Sequence, residues 1–478
     1  MIPSFRDPAG RLIDVDGRIV RIIRKSAESD LRAFLASAAS IEFSRKGQLV
    51  STEFLDADGL QSLIHKDKVL ALADDAEPSV FVEHERIPFS SFPYEWPPEM
   101  LYAAAELTLD MAEELLPETW GLKDATPYNV LYRGAKPVFI DLLSFERRDP
   151  RDQTWLPFAQ FSRTFLLPLL VNKHFGIKLD QIFINNRDGL DPEDVQRLCG
   201  SWQKIRPPFL TLITLPARLS RRPIAVDSGI YRQHLASDPE KAQFILSRVF
   251  KGLRRKLESV RPLSNSSSNW SDYMEQNNYT EDYWPIKQQF VEKAIAEIKP
   301  RKLLDVGCNT GHFSALAARA GASVVAIDYD PVVVGKVWQV AAAEKLDILP
   351  LVVNLARPTP SLGWRNLEND SFLQRSRGAF DGLLMLAVIH HMLVSERIPL
   401  PEIMSLAAEI TSDLLIVEYV GPQDPMFRRI SRGRDHLHEF LTREYFELEA
   451  GRHFEIIRTE RLGDTQRWVY MMRRKQGA

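Results

Sequence analysis

From Lys302 onward, short aliphatic runs alternate with segments of helical periodicity, and no other feature limits the fold of this chain as strongly. "KLLDVG" and "SVVAID" read as strands, and "GHFSALAARAG" between them repeats apolar residues at helical steps, at Phe313, Leu316, Ala317 and Ala320. "LPLVVNL", "FDGLLML" and "DLLIVEYV" continue the series, with helix-like sequence between them. Parallel strands need a crossover, usually a helix, so this rhythm predicts an α/β fold with a doubly wound, Rossmann-like sheet. The last segment, "HFEIIRTERLGDTQRWVYMMRR", departs from it. It reads as two strands joined by a Gly-Asp turn, an antiparallel hairpin at the sheet edge.

At 478 residues the chain is too long for one ordinary domain. The clearest seam is "RPLSNSSSNWSDYMEQNNY", rich in Ser and Asn and poor in aliphatic residues. It predicts a linker at 261–278, an α/β domain over 279–478, and an α+β domain over 1–260. Within the latter, 1–95 forms a small lobe with short alternating segments such as "GRIVRIIR", "GQLVSTEFL" and "PSVFVEHERIPF". The rest, 96–260, reads mostly helical, opening on "PPEMLYAAAELTLDMAEELL" with prolines at the start of a helix.

Composition excludes several classes. Apolar residues at 45% and charged residues at 26% are ordinary for packed globular domains. A formal charge of −3 carries no whole-chain signature of nucleic-acid binding. The basic run "RVFKGLRRKLESVR" reads as a solvated helix face. Two cysteines, Cys199 and Cys308, make neither a disulfide framework nor a four-thiolate zinc site. The longest apolar run, "GLLMLAVIHHMLV", is too short to span a bilayer, and the N-terminus lacks an apolar signal core. A cytoplasmic protein without nucleic-acid partner or membrane span is expected; the oligomeric state is left open.

The loop after "KLLDV" reads Gly307-Cys308-Asn309-Thr310-Gly311. A dinucleotide fingerprint would be G-x-G-x-x-G, but Asn309 replaces the middle glycine and none follows Gly311 in the first helical turn. A pyrophosphate cradle is therefore poorly supported. Asp305 instead supplies a strand-end carboxylate suited to the ammonium of an amino-acid moiety, and Gly307 and Gly311 let the chain pass close to it. Asp328 follows 23 residues later, where a carboxylate accepts both hydroxyl protons of a ribose. This arrangement resembles motif I and its acidic partner in the class I methyltransferases that use S-adenosylmethionine. The resemblance implies that Asp305, Gly307, Asn309 and Gly311 form the methionine end of the pocket. It further implies that Asp328 binds the ribose, Tyr329 packs on the adenine, Asn354 lies near the adenine amine, and Ala387 backs the methionine moiety.

His390 and His391 follow the fourth strand, at the carboxyl edge where open α/β sheets place their sites. If the methyl acceptor is a hydroxyl, a base must take its proton, and neutral imidazole suits that task near pH 7. Glu418, ending "DLLIVEYV", is the third candidate base. Beyond it, "FRRISRGRDHLHEFL" places Arg428, Arg429, Arg432 and Arg434 in an expected loop over the same edge. They read either as a solvated charge cluster or as a grip on a phosphate or carboxylate of the acceptor. Tyr279, Tyr283 and Trp284 form either an aromatic lid or ordinary packing.

A second constellation lies in "LKDATPYNVLYRGAKPVFID". Asn129 follows Asp124 by five residues, and Asp141 comes twelve later at the end of an aliphatic strand. The spacing resembles the phosphotransferases of the protein-kinase and aminoglycoside-kinase type. There the first Asp orients the attacking hydroxyl, and the Asn and second Asp hold Mg²⁺ against ATP. Departures are Leu122 in place of the family's His, "DLL" in place of "DFG", and no glycine-rich loop. Lys25 and Lys46 are the candidates for its strand lysine. As a whole the chain resembles two-part bacterial methyltransferases grouped with rhizobial nodulation proteins, which implies a saccharide, small-molecule or cell-surface glycan acceptor. Three readings stay open: a methyltransferase with a kinase-like accessory domain, a bifunctional kinase–methyltransferase, and a non-catalytic S-adenosylmethionine-binding protein.

Overall fold

The computed structural model describes residues 9–15, 17–63, 79–220, 235–263 and 283–475. Residues 264–278 of the expected linker, and Tyr279, lie outside them. The chain divides into two compact units, Met1–Tyr94 with Pro98–Leu263, and Glu95–Pro97 with Ser264–Ala478. Among the described residues no helix is long and apolar enough to cross a membrane.

The first unit opens on a four-stranded antiparallel sheet of β1 (Gly10–Val15), β2 (Arg18–Arg24), β3 (Thr52–Phe54) and β4 (Ser79–His84), in the order β1-β2-β4-β3. Alternation in these strands buries Ile13, Val15, Val20, Ile22 and Phe81 together. The helix Pro98–Glu114 follows, its buried side including Leu101, Ala105, Thr108 and Ala112. Two short pairs come next: β5 (Trp120–Leu122) against β8 (Phe145–Arg147), and a hairpin of β6 (Val130–Arg133) and β7 (Lys136–Phe139). The hairpin turns at Gly134, whose φ of 56° is the left-handed backbone glycine adopts without strain. Helical segments dominate the remainder. The basic run of the sequence lies in the helix Pro239–Ser259, which buries a stripe of Ala242, Leu246, Phe250, Leu253 and Leu257. Its Arg254 pairs with Asp110 at 2.6 Å and Glu113 at 2.8 Å, so this part of the run is tied to the unit's long helix rather than solvated.

The second unit is built on a seven-stranded sheet. Its strands are β9 (Lys302–Val306), β10 (Ser323–Asp328), β11 (Ile348–Val352), β12 (Phe380–Met385), β13 (Thr411–Val420), β14 (Phe454–Arg461) and β15 (Arg467–Arg474). The order is β11-β10-β9-β12-β13-β15-β14. β9 through β13 pair in parallel, and β15 runs antiparallel to both β13 and β14. Because the central strands are covered on both faces, their sequence is a run of apolar residues without alternation; Leu303, Leu304, Leu383 and Leu384 are all fully buried. The strand order reverses at β9, with β10 and β11 on one side and β12 and β13 on the other. That reversal opens a crevice at the carboxyl ends of β9 and β12, where open α/β sheets bind ligands.

The run Phe427–Leu441, expected as a loop, is partly helical. Pro425–Ser431 forms a helix, because Pro425 presets its first turn and the Asp424 carboxylate accepts from Met426 N at 2.8 Å. A 3-10 turn follows at Asp435–His438.

Gly311 joins the glycine loop to the helix His312–Arg319 with φ of 82°, and a Cβ there would lie 2.9 Å from Val337 Cγ2. Gly311→Ala is expected to destabilise the second unit by about 1–3 kcal/mol through strain and contact. Urea unfolding of the full chain checks this, and an unchanged midpoint would contradict it.

Candidate active site

A cleft of about 1820 Å³ opens at the carboxyl ends of β9, β10 and β12, lined by residues from Trp284 to Tyr445. A volume of this size exceeds the usual range for a single small-molecule site, leaving room for a cofactor and a second molecule beside it.

The floor is made by the glycine loop. Gly307 N and Cys308 N both donate to Ile327 O, at 2.9 and 3.0 Å, which docks the loop onto β10. Asp328 completes the docking: one carboxylate oxygen accepts from Asn309 N at 3.1 Å, the other from Asp330 N at 3.0 Å. Asn309 takes the left-handed conformation, φ 49°, which Asn tolerates better than most residues. Asp305, at the end of β9, is buried and accepts from Ser314 Oγ at 2.6 Å. Burial pushes both carboxyls up to about 6. Among the described residues neither has a cation bonded to it, so each gains from a ligand that brings positive charge or hydroxyl donors.

Of the residues singled out in the sequence, Asp305, Gly307, Asn309, Asp328, Tyr329, Asn354, Ala387 and His391 all line this one cleft. Tyr329 presents a ring that is 47% exposed, although it sits beside a buried strand end. Asn354 has one committed atom, its Oδ1 accepting from Ala356 N at 2.9 Å, which leaves its amide N–H groups for a ligand. Ala387, two residues past the end of β12, holds φ of 53°, a conformation that costs an alanine about 1–2 kcal/mol and brings backbone to the cleft wall. Gly311 stands just behind the lining, where it starts the helix.

The three candidate bases separate. His391 lines the cleft; His390 packs beneath it, ring centroids 4.3 Å apart, 2% exposed and with Nδ1 unpartnered. Burial lowers the pKa of both imidazoles, with Arg467 adding to the effect, so both are neutral at pH 7. Glu418 is 0% exposed and does not line the cleft. It accepts from Lys287 Nζ at 2.6 Å and Arg467 at 3.2 Å, and Arg467 in turn holds Asp424 at 2.8 Å. Burial opposes its ionisation, but these two cations outweigh it and hold the carboxyl below its usual range. A carboxylate so placed is a poor proton acceptor; its geometry is that of an anchor.

Lys287 was not legible in the sequence as a site residue. It lies in the helix Trp284–Ile298, is 3% exposed, and lines the cleft while paired to Glu418. Nothing in the run "WPIKQQF" marks a lysine as buried; only the ion pair across 131 residues does. Trp284 also lines the cleft and packs on His312 and Phe313, at 5.1 and 5.4 Å between ring centroids. Tyr283 is buried under the Arg467 guanidinium and lies off the lining, so of the three expected lid aromatics only Trp284 is seen at the cleft.

Residues 279–462 match a protein-family model described as a methyltransferase domain. The second unit is a class I S-adenosylmethionine-dependent methyltransferase domain. The whole chain is similar to the nodulation protein NoeA of Rhizobium meliloti (strain 1021), 28% identical over 489 residues that cover 99% of this chain and 96% of that protein. Among solved structures, it is similar to the magnesium protoporphyrin IX methyltransferase ChlM of Synechocystis PCC 6803, with 20% identity, TM-score 0.30, and coverage of 42% of this chain and 89% of that one. It is also similar to the bifunctional kinase–methyltransferase WbdD, with 19% identity, TM-score 0.27, and coverage of 40% and 38%.

S-adenosylmethionine is the cofactor of the methyltransferase domain, and the residues present fit it. Two adjacent strand-end carboxylates without a bonded cation suit an ammonium and a ribose. Gly307 passes close under Val388 with φ of 73°, where a Cβ would lie 3.2 Å from Val388 Cγ2.

In the first unit Asn129 and Asp141 are joined through Ser144: Asn129 Nδ2 donates to Ser144 Oγ at 3.0 Å, and Ser144 Oγ donates to Asp141 at 2.8 Å. Asp124 accepts from Gln160 Nε2 at 3.4 Å. The cation that reaches Asp141 is neither Lys25 nor Lys46 but Arg21 of β2, at 2.7 Å. Lys25 pairs with Glu28, and Lys46 with Glu42 and Glu114. Burial raises the Asp141 carboxyl, but Arg21 and Ser144 outweigh that and hold it below its usual range.

Since Asp305 and Asp328 titrate near 6, a ligand that favours their ionised forms should release protons on binding. Calorimetry of S-adenosylmethionine in buffers of different ionisation enthalpy is expected to show release near pH 6, less of it about one unit higher, and affinity falling as pH drops through 6. Affinity and heat independent of pH and buffer would refute these two carboxylates as ligands.

Proposed function

We propose that the chain methylates a hydroxyl of a saccharide or another small or cell-surface acceptor, in the cytoplasm, with His391 as the base. The single observation that carries this reading is the position of His391: a neutral imidazole on the cleft wall just past β12, at the strand edge that also carries Asp305 and Asp328. The similarity to a nodulation protein over almost the full length supports a glycan-type acceptor.

S-adenosylmethionine, when bound, supplies an already activated methyl group on a sulfonium. The chain then has three tasks. It holds the cofactor's polar ends with Asp305 and Asp328. It encloses the acceptor between the sheet edge and the segments after β12 and β13, which excludes water and fixes the approach. It takes the hydroxyl proton at a ring nitrogen of His391, kept neutral by burial and by the nearby Arg467. His390 supports that ring from beneath, and Glu418 fixes Lys287 and Arg467.

His391→Ala is expected to lower kcat by roughly a hundredfold or more while leaving cofactor affinity unchanged. Because burial lowers its pKa, the acid limb of the rate profile should fall below the ordinary histidine value of 6.5 and vanish in this variant. Glu418→Gln should instead destabilise the second unit by about 3–5 kcal/mol in urea melts, since it leaves buried cations unpaired. Normal turnover of His391→Ala with the true acceptor would point to an acceptor that needs no side-chain base.

For the first unit we infer a kinase-like module without phosphotransferase activity. The convergence of Asn129, Ser144 and Asp141 favours the kinase-like reading, and Arg21 argues against turnover. An active site of this kind needs Asp141 free for Mg²⁺, and a guanidinium bonded to it occupies one carboxylate oxygen and cancels its charge. The expected outcome is no Mg²⁺-dependent ATP hydrolysis by the full chain. Phosphoryl transfer that needs magnesium and is lost in Asp141→Ala would establish the bifunctional reading instead.

A further inference from the structure

The cleft carries more positive charge at its rim than the cofactor accounts for. Arg397, from the segment after the helix Ile389–Val394, and Arg429, Arg432 and Arg434, from the segment after β13, all line it. None of the four is paired with a carboxylate among the described residues, although several exposed arginines elsewhere in this unit are, as Arg319 is with Glu344 and Arg377 with Glu409. Of the carboxylates nearby, Glu396 pairs with Arg357 at 2.7 Å, and Asp435 accepts from Ser431 Oγ. Arg428, in the same run, donates to Gln423 instead and does not line the cleft. The clustering is local, because the chain as a whole carries a formal charge of −3.

Arg397 and Arg432 hold left-handed φ of 58° and 52°, and that of Arg432 is the turn that ends the helix Pro425–Ser431 and sends the chain along the cleft rim. Like charges gathered around one concave wall repel one another, and an anion entering between them relieves that repulsion. S-adenosylmethionine has a single carboxylate, which leaves guanidinium groups over. The deep carboxylates Asp305 and Asp328 and the rim arginines thus divide the cleft into an end for a cation and an end for an anion.

We infer that the acceptor carries a phosphate or carboxylate, held at the rim by Arg429, Arg432 and Arg434 together with Arg397. This rests on the methyl-transfer reading above and names the substrate class. Guanidinium forks bind either anion through paired charge-assisted hydrogen bonds. Phe440 and Leu437, 60% and 53% exposed on the same lining, offer an apolar face to the ring that bears the charge.

The test uses the full chain saturated with S-adenosylhomocysteine and three probes: glucose 6-phosphate, glucuronate and glucose, titrated by calorimetry at low and high salt. At least one anion is expected to bind, more weakly as salt rises, with glucose at least about tenfold weaker. The phosphate and carboxylate arms distinguish the two sources of charge. Replacing Arg429, Arg432 and Arg434 together by alanine should weaken the anion by about tenfold or more and leave S-adenosylhomocysteine affinity unchanged, whereas Arg428→Ala should leave both unchanged. Anion binding that survives the triple substitution, glucose binding as tight as either anion, or no binding of either anion overturns the assignment. Failure of the native chain to bind S-adenosylhomocysteine would sink the methyl-transfer reading instead.

Discussion

Beneath the cleft, Glu418 accepts from both Lys287 and Arg467, and Arg467 holds Asp424, four charges that are each nearly or wholly out of solvent. They join the helix Trp284–Ile298, β13, β15 and the loop that follows β13. Placing such charges inside a protein costs several kcal/mol per ion unless each is matched, so the four stand or fall together. Their positions fix where the edge hairpin meets the parallel strands. They also fix where the chain leaves β13 toward the arginine-bearing segment, because Asp424 both binds Arg467 and caps the helix Pro425–Ser431. Burial lowers the pKa of His390 and His391, and Arg467 adds to the effect on both.

The cleft above this network is electrically divided. Its floor holds carboxylates that burial makes reluctant to ionise, and its rim holds guanidinium groups that no carboxylate pairs with among the described residues. A cofactor with a sulfonium and an ammonium relieves the floor, and an anionic acceptor relieves the rim. Charge therefore orients the two ligands before any close contact is made, with the acceptor's approach favoured from the side facing solvent.

In the first unit, chemistry suggested by spacing meets a different local solution. Asn129 and Asp141 come together through Ser144, but Arg21 takes the place where a metal ion would neutralise the carboxylate. A carboxylate already satisfied by a guanidinium and a hydroxyl gains little from a divalent cation. The arrangement holds the end of β7 against β2.

The sequence by itself determined the alternation of strands and helices in the second unit, because apolar runs of strand length between amphipathic segments leave few other folds. It also determined the glycine loop and the strand-end carboxylates Asp305 and Asp328, since those functions lie within a few residues of a readable strand end. The edge pair β14–β15 was legible for the same local reason. Which of His390, His391 and Glu418 faces the cleft was decided only by the tertiary structure. All three sit at strand ends, and nothing local tells a residue that borders a ligand from one paired beneath it. Lys287, Arg21 and Arg397 were invisible because their roles depend on partners or walls supplied by distant segments: Glu418 lies 131 residues from Lys287, and Asp141 lies 120 from Arg21. Local periodicity records which face of an element is buried; it holds no record of what charge waits on the other side.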